Sequence, residues 1–86
     1  MASVEEVKAH VTASVDGAGR AANSIQQVTD QLEDALALLR MTAVGSFHPS
    51  VVSAIAQLEQ ARMRLDEAAQ LTRAAMHDAD TFRTVI

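Results

Sequence analysis

A seven-residue apolar repeat runs through almost the whole chain and breaks once, at Val44-Gly45-Ser46-Phe47-His48-Pro49-Ser50. Before the break it comprises Val4, Val11, Ala18, Ile25, Leu32 and Leu39. After it come Val51, Leu58, Leu65, Thr72, Ala79 and Ile86. Such a repeat marks helices packed along a left-handed seam. The break holds the only Pro in the chain. Gly45 suits a left-handed helix stop, and Pro49 suits a first helical turn, where its missing N–H would be unpaired anyway. A link of a few residues joins antiparallel neighbours. The fold class is therefore all-α: an antiparallel two-helix hairpin in one domain spanning residues 1–86. The helices are expected at about 4–43 and 50–84, with the turn at 44–50.

Each repeat has a companion row three residues on. In the first helix it is Val7, Ser14, Ala21, Val28, Ala35 and Thr42, and in the second Ala54, Ala61, Ala68, Ala75 and Phe82. Alanines at a seam position let helix axes approach toward the short end of the usual separation. Ser3 and Glu6 have the spacing of a capping box, and Glu5 and Glu6 complement the positive end of the helix dipole. Gly17 and Gly19 soften the first helix, at a cost of about 1 kcal/mol each relative to Ala. The repeat passes through Ala18 without slipping, so a continuous helix is expected, with the glycines admitting a close neighbour and a kink or break there as the alternative.

The apolar residues are unusual in kind: two Phe, no Tyr, no Trp, and an excess of Ala, Val and Leu. Large side chains supply most core burial, so a core of this composition is thin. Small scaffolds compensate with a staple or a partner, and the absence of Cys removes the disulfide option. Self-association remains: a homo-oligomer, as a four-helix bundle or a larger helical assembly, or pairing with a larger protein partner.

Around the turn the apolar residues outnumber the faces one partner helix can cover. Leu36, Leu38, Met41, Val44, Phe47, Val51, Val52 and Ile55 form an apolar tip. Leu36 and Leu38 are placed beside the seam instead of in it. Leu71 and Met76 widen the apolar face of the second helix. These ten residues are the candidate interface, toward a second copy first and toward a different protein second.

Chemistry is sparse. His10, His48 and His77 lack the three- or four-residue spacing of a helical metal pair, although His48 before Pro49 suits a helix cap. The paired carboxylates Glu33-Asp34 and Asp66-Glu67 lack the Glu-x-x-His arrangement of di-metal bundles. No phosphate loop or nucleophile motif occurs. The expectation is a non-enzyme without cofactor, metal or catalytic residues. The net charge of −4, with no clustered basic face, argues against nucleic acid. No apolar run is long enough for membrane insertion, and the acidic N-terminus is unlike a signal peptide. A cytoplasmic protein is expected, with export only by a route lacking a cleaved signal.

An acidic helical hairpin of this size with a Gly-containing central turn resembles the WXG100 (ESX-type) superfamily and its Ala-rich actinobacterial relatives. Where that family has Trp-x-Gly, this chain has Val44-Gly45-Ser46-Phe47; where it has a C-terminal Tyr-x-x-x-Asp/Glu signal, Phe82 and Ile86 stand here. Members dimerise as four-helix bundles and are exported or escort exported partners. The resemblance thus implies pairing, and a secretion-associated role as the alternative function; no secretion residue is carried over.

Overall fold

A computed structural model describes residues 3–45 and 48–86. Two helices, α1 (Val4–Thr42) and α2 (Pro49–Val85), pack antiparallel as a hairpin of 64 × 19 × 15 Å. Both ends of each helix are closed by local chemistry. The Ser3 hydroxyl accepts the Glu6 amide at 3.1 Å, and the Ala43 amide donates to the Leu39 carbonyl at 2.9 Å. Gly45 takes φ +83°, the left-handed conformation that lacks a steric penalty only for glycine. His48 caps α2, its Nδ1 accepting the Ser50 amide at 3.1 Å, and Pro49 occupies the first turn. Phe47, expected in the apolar tip, lies outside the described residues.

The repeat from Val11 to Leu39 faces α2, as its spacing predicts. The companion row of α1 does not. Val15, Ala22, Thr29, Leu36 and Ala43, four residues after each repeat position, are buried or half-buried, whereas Ser14, Ala21, Val28, Ala35 and Thr42 are exposed. Leu36, placed beside the seam by sequence, is instead its centre: at 1% exposure it is the only large side chain fully buried among the described residues. In α2 the companion changes along the helix. Ala54, Ala61 and Ala68 are half-buried near the turn, then Ala69, Met76 and Arg83 take over toward the open end. A straight helix drifts about 20° per heptad against a strict seven-residue repeat, which moves the contact line in this way.

Helix α1 is continuous through Gly17 and Gly19. Only Gly19 meets α2: a Cβ there would stand 3.4 Å from Met76 Cε, while one on Gly17 would meet only Arg20. The seam threonines Thr29 and Thr72 are satisfied within their own helix. Thr29 donates to the Ile25 carbonyl at 2.9 Å, and Thr72 to that of Ala68 at 2.7 Å. Neither hydroxyl therefore carries an unpaired-donor cost into the seam.

Candidate interaction surface

The pairs that cross between helices distinguish the two long flanks of the hairpin. Arg40 pairs with Glu59, and Arg62 with Glu33 at 3.8 Å. Toward the open end Arg83 donates to Thr12 at 3.0 Å and pairs with Asp80. Thr12, Glu33 and Arg40 each stand one residue after a repeat position of α1. Glu59 does so in α2, and Arg62 and Arg83 stand four after. In an antiparallel pair the two helices wind in opposite senses when viewed from one end. Residues with the same offset from the seam therefore fall on the same side, and all these groups share one flank.

Residues three after each repeat position must then occupy the opposite flank, in both helices. There α1 presents Ala21, Val28 and Ala35, and α2 presents Ala61, Ala68 and Ala75. No charged residue occurs in either row from end to end. The next rows outward add Leu38 and Leu71, 64% and 71% exposed, and Arg64 and Asp78 are their only charges. The companion row of α1 read from sequence as a seam thus lies on the outside of the hairpin, next to the α2 companion row, which is half-buried from Ala54 to Ala68 and exposed at Ala75 and Phe82.

The ten candidate interface residues do not form one patch. Leu36 is removed from the surface by the seam. Val51, Ile55 and Met76 are half-buried within the hairpin. Leu38 and Leu71 lie on the uncharged flank. Val52, one residue after a repeat position, is exposed on the ion-paired flank; Met41 is on the outer side of α1, and Val44 is exposed in the turn. The expectation of a single contact surface at the tip treated residues near one another in sequence as sharing a direction. On a helix, neighbours 100° apart do not.

An open depression on the ion-paired flank is lined by Thr29, Glu33, Arg62, Met63 and Asp66. Its walls already contain the Glu33–Arg62 pair, leaving Asp66 as a solvated carboxylate. Among the described residues no group of three His, Asp or Glu converges in a metal-binding arrangement, and no helix is long and apolar enough to cross a membrane.

Comparison with protein-family models, curated proteins and solved structures returns no match to this chain.

Proposed function

We propose that this protein is a non-enzymatic assembly module whose working form is a self-associated helical hairpin. The supporting observation is surface area. The chain exposes 6305 Å², whereas a compact monomer of its 9.2 kDa mass exposes roughly 4900 Å². The excess, roughly 1400 Å², exceeds the ~800 Å² that each partner contributes to a standard stable interface. Among the described residues, only Ala22, Leu36 and Ala69 are buried apolar residues. A hairpin so thinly packed draws its stability from a further layer of helices. The test is thermal unfolding across a hundredfold range of protein concentration. Association predicts a midpoint that rises with concentration; a midpoint independent of concentration contradicts it.

A second reading is favoured by the apolar residues left at the turn. Met41, Val44 and Val52 remain exposed on faces away from the uncharged flank. In this reading the tip docks a larger protein, as in a WXG100-like secretion-associated pair. Copurification with the product of a neighbouring gene, abolished by Met41→Asp with Val44→Asp, is the expected result. Retention of the partner by that variant would reject docking at the tip.

A further inference from the structure

The geometry points to the uncharged flank as the seat of a second copy of this chain, in a two-fold four-helix bundle with the ion-paired flanks facing solvent. This deepens the self-association reading and rests on it. The broad face of the hairpin, 64 Å by 19 Å, projects roughly 1200 Å², enough for the ~800 Å² per partner of a standard interface. The four rows covering that flank carry only Arg64 and Asp78 of the chain's eighteen charged Asp, Glu, Lys and Arg residues. Every other approach of two copies would set charged rows of a −4 chain against each other.

A two-fold interface uses the same patch on both subunits, so the patch must tolerate its own image. A charge-free row meets that condition without needing an opposite charge across the axis. The patch also shares the depletion of charge that marks interface cores. Val28, Leu38, Leu71 and Phe82 project from it at 43–71% exposure, separated by alanines that let a facing helix come close. Phe82, at 47% exposure, extends the apolar surface to the open end, opposite the turn.

The experiment compares three forms of the full chain by sedimentation equilibrium, with helicity checked by circular dichroism. Leu38→Glu combined with Leu71→Glu places carboxylates at exposed positions that make no contribution to the hairpin seam. Arg73→Glu, on the opposite flank, is the charge-matched control. The expected result is a dimer for the native chain and the control, and the 9.2 kDa monomer for the flank variant with its helicity retained. A dimeric flank variant overturns this choice of face while leaving self-association intact. A monomeric native chain overturns both. If the flank variant is monomeric but loses helicity, Ala35→Cys labelled with a nitroxide separates the cases: a close intermolecular pair supports this interface, and no such pair, or one only for Arg73→Cys, rejects it.

Discussion

The two flanks of the hairpin are made by the same two helices and run the same length, yet they are chemically opposed. One is crossed by Arg40–Glu59 and Arg62–Glu33; the other presents Ala21, Val28, Ala35 and the alanines of α2 without a charge. The crossing pairs are exposed, and such pairs contribute about 0–1 kcal/mol each. They fix register and keep one side wet more than they hold the helices together. The uncharged flank does neither within the monomer. Its α1 row contributes little to a hairpin whose seam lies one position away, and its α2 row lines the seam only as far as Ala68; the exposed parts become useful when another helical layer covers them.

Four variants test this contrast. The largest effect is expected from Ala61→Glu with Ala68→Glu, which puts two carboxylates at the edge of the seam on the uncharged flank. Association should be lost and the melting midpoint should fall by more than for any change on the other flank; size-exclusion chromatography with light scattering and thermal denaturation read the two. Next is Leu36→Ala. Removing the fully buried side chain should cost about 2–5 kcal/mol, measured by urea unfolding.

Smaller effects follow at the helix ends and on the wet flank. His48→Asp should stabilise by about 0.5–1 kcal/mol, because Asp is a strong cap and α2 has no acidic residue in its first turn. Urea midpoints compare the two, and a loss of stability would show that the His48 ring serves something beyond capping. Smallest is Glu59→Gln, expected to change stability by less than about 1 kcal/mol and to leave the oligomer mass unaltered. A loss of association in that variant would transfer the interface to the ion-paired flank.

Most of the hairpin was legible from its repeat, its caps and its turn. Gly45 and Pro49 each have a conformational role that few other residues can fill, so their positions located the turn. The primary seam rows were legible for the same reason: Ile25, Leu32 and Leu39 on α1, and Leu58 and Leu65 on α2, are large and regularly spaced. The companion row of α1 was not. Val28 and Ala35 three residues on compete with Ala22 and Leu36 four residues on, and a seven-residue period accepts either.

Charge placement supplied the missing signal. Glu33 and Arg40 follow their repeat positions by one residue, as Glu59 does in α2, and their signs are complementary across the antiparallel pair. That arrangement puts the ionic groups on one side and turns the seam toward the four-residue companion. The presence of both apolar rows, one used and one exposed, is what a helix buried on two sides requires. Leu36 illustrates the cost of missing it: assigned by sequence to an outer contact surface, it is the core of the hairpin.

Packing of this hairpin against a second copy of itself is the step on which the contrast between its flanks depends. Its most direct test is the mass of the native chain by sedimentation equilibrium at micromolar concentration. Twice the 9.2 kDa chain mass is expected. A single-chain mass, persisting as the concentration is raised and with full helicity, would contradict it.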